Sequence, residues 1–211
     1  MAAADDPQTV GEAAWVHDPN GTTQSLSRRP DTSLVFDPAG LPDDLPVMLD
    51  TNVYIARTAK RIPAHIDAFV TTRTVLHSGV ALAELSISAG LLDPADPRTP
   101  MYRNPLRRLL DSIRLADCRS PSPASWVEAG MLAGILARTQ LGLAKARKGL
   151  SAVEACCQAG RRRDALNDAL IFLTAREHGA ILISSNIADM DRLAGFRPGV
   201  ELLLFRQTAP T

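Results

Sequence analysis

Four acids in this chain could share one site: Asp50, Glu84, Asp168 and Asp189. Each belongs to a separate segment beside an apolar run: VMLD at 47–50, VALAEL at 80–85, DALIFL at 168–173 and SNIAD at 185–189. Carboxylates gathered in one small volume repel each other, and all stay ionised only with a cation among them. Ligation by oxygen alone favours a hard ion, Mg2+ or Mn2+, over Zn2+. Such a centre polarises a phosphate and activates water for in-line attack. Thr51 and Asn52 follow the first acid, and Ser184 and Asn186 precede the last, where they would orient the ligands.

Three of these acids also have a plainer reading. Asp50 could be a structural acid at a strand end. Asp189 could sit in a turn. Glu84 lies inside GVALAELSISA, whose apolar residues fall all round and predict a buried helix between the N-cap Ser78 and Gly90. A buried carboxylate is expensive, so Glu84 requires a proton, a cation or donors, backbone donors included. Asp164 and Asp191 are further acids that could take over a ligand position; Asp164 also suits the first turn of a helix.

The elements that must carry these residues alternate. Val47–Leu49 reads as a buried strand closed by Asp50, and ligands of open α/β sheets bind at that edge. A helix is expected over Ala64–Arg73, a strand at Val75–His77, and then the helix of Glu84. Arg103, Arg107, Arg108 and Arg114 follow on a helix, with a strand at Arg114–Cys118. Ser125 and Glu128 have capping-box spacing for a helix from Trp126 to about Gln140. The helix of Asp168 runs from Arg163 or Asp164 to His178, with Gly179 as its C′ residue. Ile181–Ile183 is a strand, Asp189 and Asp191 lie in the loop after it, and Glu201–Phe205 is the last strand. The fold class is therefore α/β, with a mostly parallel central sheet and helices on both faces.

The 211 residues suit one domain, at 46–207, with an extension at 1–45. That extension holds Pro7, Pro19, Pro30, Pro38 and Pro42 and is expected to be largely irregular, with Ser33–Phe36 as a candidate edge strand. The zero net charge hides an asymmetry: residues 1–50 sum to −7 and residues 51–211 to +7. A basic body implies an anionic partner, and an acidic tail beside it could screen the binding groove. Arg103, Arg107, Arg108, Lys145, Arg147, Lys148, Arg161, Arg162 and Arg163 are the candidate residues for holding such a partner, through its phosphates if it is a nucleic acid. Three cysteines, Cys118, Cys156 and Cys157, form no disulfide framework and fit a reducing, cytoplasmic compartment. No apolar run is long enough to span a bilayer, and the N-terminus does not read as a secretory signal.

Taken in order, LDTNVYI at 49–55, VALAEL at 80–85, NDALIFLTAREHGAILIS at 167–184 and SNIADM at 185–190 resemble a PIN-domain nuclease, and within that family the VapC-type toxins of toxin–antitoxin pairs. The resemblance spans roughly residues 47–205. It implies a PIN-like three-layer sandwich, a Mg2+ site on Asp50, Glu84, Asp168 and Asp189, an RNA substrate, an antitoxin partner and a homodimer. The family's hydroxyl-x-Asn element matches Ser184 and Asn186. Three features depart from the family: Met190 stands where Phe is usual, Asp164 and Asp191 are spare acids, and the extension has no counterpart. The expected function is a Mg2+-dependent endoribonuclease acting as a toxin. The alternatives are a PIN nuclease of RNA processing without an antitoxin, and a catalytically silent RNA- or protein-binding module. A phosphotransferase using Asp50 as nucleophile is disfavoured, because Asn52 stands where a second Asp is needed and no glycine-rich phosphate loop is present.

Overall fold

The computed structural model describes residues 7–18, 20–21, 26–142 and 161–209. Five short strands form one parallel sheet in the order β3-β2-β1-β4-β5, with β1 at Val47–Leu49, β2 at Val75–Ser78, β3 at Cys118–Arg119, β4 at Ile181–Ser184 and β5 at Leu202–Leu204. Every pairing is parallel, so each connection must cross over, and helices make the crossovers. Successive residues of β1, β4 and β5 are all buried, which is possible only when both faces of the sheet are covered. The fold is an α/β sandwich.

Among the described residues the helices are α1 (Val10–Ala14), α2 (Thr51–Thr58), α3 (Ala64–Thr71), α4 (Gly79–Gly90), α5 (Thr99–Asp111), α6 (Pro123–Leu136), α7 (Arg161–Glu177) and α8 (Ile187–Phe196). Helix α2 has no counterpart in the sequence reading. Thr51, Val53 and Ile55 are β-branched and look like a continued strand. Asp50, extended at φ −67° and ψ 155°, instead caps a helix that buries Val53, Tyr54 and Ala56. Helix α4 is buried on one side only, through Val80, Ala81 and Leu85. Ile87 is 49% exposed, so the expectation of burial all round is corrected. The chain turns into a 3-10 helix at Leu115–Asp117 before β3, which is shorter than expected.

The capping box at Ser125 and Glu128 does not form. Ser122 caps α6, its hydroxyl accepting from the Ser125 amide at 3.2 Å. The Ser125 hydroxyl donates to Glu177 of α7 at 2.6 Å. Glu128 faces inward, with His17 Nε2 2.9 Å from its Oε1. A spacing rule sees only local partners, whereas here His17, from the extension, and Glu177, from α7, compete and win. Helix α6 ends in a π-helical turn at Ala137–Gly142.

The described part of the extension is largely irregular in backbone but docked on the domain. Thr9 and Glu12 form a capping box on α1, which packs on α6 with Ala13 buried. Leu34, Phe36, Leu41 and Leu45 pack against the core. Val35 accepts one backbone hydrogen bond from Leu204 at 2.9 Å, beside β5, although Ser33–Phe36 forms no strand. Its acids are engaged locally. Asp31 pairs with Arg28 and Arg206, and Asp43 with Arg73. These two acids of the extension are thus committed to docking contacts, which support a structural role for the segments that carry them.

Candidate active site

The carboxyl ends of β1 and β4 form the floor of the candidate site. Asp50 follows β1 directly and is 2% exposed. Ser184, the last residue of β4 and fully buried, donates to Asp50 Oδ2 at 2.6 Å. The Asn52 amide donates to the same oxygen and to Ser184 Oγ at 3.2 Å. Asn52 Oδ1 accepts from the Ser185 amide at 2.8 Å and its hydroxyl at 3.0 Å. Asn52 therefore staples the carboxyl end of β1 to that of β4 with all its hydrogen-bonding capacity used. Ser184 Oγ also accepts from the Asn186 amide at 2.8 Å, which leaves its own proton for Asp50.

Glu84 reaches this edge from α4. It is half-buried and held by two side-chain donors, the Thr51 hydroxyl on one oxygen and Asn167 Nδ2 at 2.7 Å on the other. Its requirement for donors is thus met by side chains. Asp168 lies one residue beyond Asn167 on α7, and Asn186 Nδ2 donates to it at 2.9 Å. Asp189 and Asp191 sit in α8 rather than in a loop, because Asn186 starts that helix immediately after the strand. Asp189 accepts from Arg192 at 2.8 Å, one turn further along.

Burial and mutual repulsion mark the cluster. Burial first, and then the Glu84 charge, push the Asp50 carboxyl up to about 6, against the donors that lower it. Asp168 is pushed up to about 8, by burial and then by the charges of Asp50, Asp189, Glu84 and Asp164. All four predicted acids are thus within electrostatic reach of one point, with Asp164 more distant and largely exposed. Asp191 is not part of the group. It is 3% exposed and faces the extension, accepting from the Arg29 backbone amide at 2.7 Å and from Arg29 Nε at 2.6 Å.

The donor set fits a hard cation: oxygen only, anionic and mutually repelling. Among the described residues no three acid, histidine or cysteine groups already stand as a ligand cage. A cation held there would therefore require side-chain movement. Asn167 and Ser185 are site residues that the sequence reading missed. Both are immediate neighbours of named ones, and that adjacency was the available signal. Of the basic residues, Arg103, Arg107 and Arg108 are exposed on α5, and Arg163 is exposed near the start of α7, which Arg161 and Arg162 open. Lys145, Arg147 and Lys148, like Cys156 and Cys157, lie outside the described residues.

A parallel α/β sheet with clustered acids at its carboxyl edge is the arrangement the chain presents. No protein-family pattern and no curated protein matches it. Among solved structures it is similar to VapBC2 from Rickettsia felis bound to a DNA fragment from their promoter, at 19% identity, a TM-score of 0.44, and coverage of 77% of this chain and 100% of that one. No described helix is long and apolar enough to cross a membrane.

The two neighbouring acids of α8 should separate cleanly on mutation. Asp191→Asn is expected to lower the melting temperature, by a few degrees for a loss of about 1–3 kcal/mol, because a charge-assisted pair to Arg29 is lost in a buried place. Asp189→Asn should leave stability nearly unchanged and weaken divalent-ion binding. Thermal melts and Mn2+ titrations of both variants check this; the reverse pattern would make Asp191 the ligand.

Proposed function

We propose that this chain is a Mg2+- or Mn2+-dependent endoribonuclease of the PIN type. The observation that carries the reading is the convergence of Asp50, Glu84 and Asp168 at one sheet edge, held there by Ser184, Asn52, Thr51, Asn167 and Asn186, with the Asp168 carboxyl pushed up to about 8 by burial and by four surrounding acids. Such a cluster stores repulsion that a divalent cation relieves, and it lies at the sheet edge where α/β folds bind ligands.

Asp50, Glu84, Asp168 and Asp189 would hold the cation, which when bound polarises a phosphate and activates water. The chain's own part is orientation. Ser184 and Asn52 both load Asp50 Oδ2 and fix the plane of that carboxylate. Asn186 and Asn167 aim Asp168 and Glu84 from one side, and Thr51 holds Glu84 from the other. Exposed Arg103, Arg107 and Arg108 on α5 would bind the RNA backbone.

The toxin role, with a cognate antitoxin and a homodimer as its assembly, rests on the motif resemblance at residues 47–205. Incubation of the purified chain with RNA, with Mg2+ and with EDTA, is the direct test. Cleavage in Mg2+ alone, with discrete ends on sequencing, is the expected result. RNA that binds and stays intact in both would favour the silent binding module.

A further inference from the structure

The carboxyl edge of the sheet carries a second buried serine that none of the roles above uses. Continuing the β1–β4 register, Leu49 against Ile183, by one residue sets Ser184 beside Asp50. Continuing the β1–β2 register, Met48 against Leu76, by two residues sets Ser78 beside Asp50 on the other flank. Neighbours in register on parallel strands present their side chains to the same face. Asp50 is therefore bracketed by two serines, both fully buried.

Their hydroxyls differ. Ser184 donates to Asp50. Ser78 Oγ is a buried atom with no hydrogen-bond partner. Ser78 is also the N-cap residue of α4, where a serine normally accepts from the first turn, yet its side chain makes no cap bond. Ser78 pairs in register with Arg119 of β3, and a Cβ on Gly79 would touch the Arg119 carbonyl oxygen at 3.4 Å and Ser120 Oγ at 3.5 Å, ordinary contact distances. The β2–β3 pairing holds the backbone at Ser78, and the hydroxyl is left without a partner. A buried unpaired hydroxyl is costly, so a serine kept there needs a partner.

We infer that Ser78 is a positioning residue of the acidic centre, donating to the Asp50 carboxylate from the β2 flank as Ser184 does from the β4 flank. The inference rests on the nuclease reading. In the cation-loaded state both serines would fix Asp50, one on each side, so that its ligand oxygen is presented without rotation. Ser78 acts through Asp50 and touches no substrate.

The test uses the full chain with Ser78→Ala and Ser78→Thr, and Ser184→Ala as the reference. Ser78→Ala should weaken Mn2+ binding, measured by calorimetric titration, by about tenfold, as loss of a ligand-orienting hydrogen bond does. It should lower kcat for RNA cleavage by a similar factor with KM unchanged, and leave the melting temperature in EDTA the same or higher. Ser78→Thr, which keeps the hydroxyl, should recover Mn2+ affinity. Wild-type Mn2+ affinity and rate in Ser78→Ala would overturn the inference, as would losses that track a lowered melting temperature. Absence of divalent-dependent cleavage in the unmutated chain would instead sink the nuclease reading. The Mn2+ titration still judges Ser78 in that case, and equal affinities there overturn it.

Discussion

Asp50→Asn is expected to abolish metal-dependent RNA cleavage while leaving the protein folded. The substitution keeps the shape and keeps an oxygen able to accept from Ser184. It removes the buried anionic group at the carboxyl end of β1, beside Ser184 of β4. A hard cation then loses a ligand charge, and the rate at saturating Mg2+ should fall by about a hundredfold or more. Stability should not suffer, because burial holds the Asp50 carboxyl up at about 6 and a neutral group there relieves the repulsion. The measurement is the cleavage rate across a Mg2+ series, run beside a thermal melt. A variant that cleaves at the parental rate would remove Asp50 from the metal site.

Asp168→Asn should stabilise the metal-free protein, and the gain should depend on pH with a definite sign. In the folded chain the Asp168 carboxyl titrates at about 8, whereas in the unfolded chain it titrates near the ordinary value of about 4. Below pH ~4 both states hold the proton, and Asp168 makes no difference. As pH rises from there, only the unfolded chain releases it, so the folded state loses relative stability across the whole window and levels off above about 8. The loss approaches about 1.4 kcal/mol for each pH unit crossed, an upper bound that local relaxation reduces. Melts in EDTA at pH 4.5 and pH 8 should therefore show a small advantage for Asp168→Asn at the lower pH and a large one at the higher. Adding Mg2+ at pH 8 should raise the parent more than the variant, since the cation cancels the same repulsion. An advantage that shrinks as pH rises would mean that Asp168 does not carry the cluster's strain.

The acids and their immediate companions were readable because each sits at a chemical discontinuity. Asp50 closes a three-residue apolar strand, Glu84 interrupts an apolar helix, and Ser184 and Asn186 end another apolar strand. Alternating strand and helix signals likewise predicted the parallel α/β sheet, since period and length are local properties. What followed from competition between distant partners was not readable. Thr51–Thr58 is β-branched enough to look extended, and becomes a helix because Asp50 must turn the chain away from the sheet edge. Ser125 and Glu128 have the spacing of a cap, yet Glu177 and the pair His17 and Arg197 claim them. Asp189 and Asp191, two residues apart on α8, point to different fates: one joins the acid cluster, the other pairs with Arg29 some 162 residues away. The sequence by itself thus determined the fold class and named the candidate acids. Only the tertiary structure decided which acids share a site and that the extension is docked, because hydrogen-bond partners and burial are set by the packing of segments that no local pattern relates.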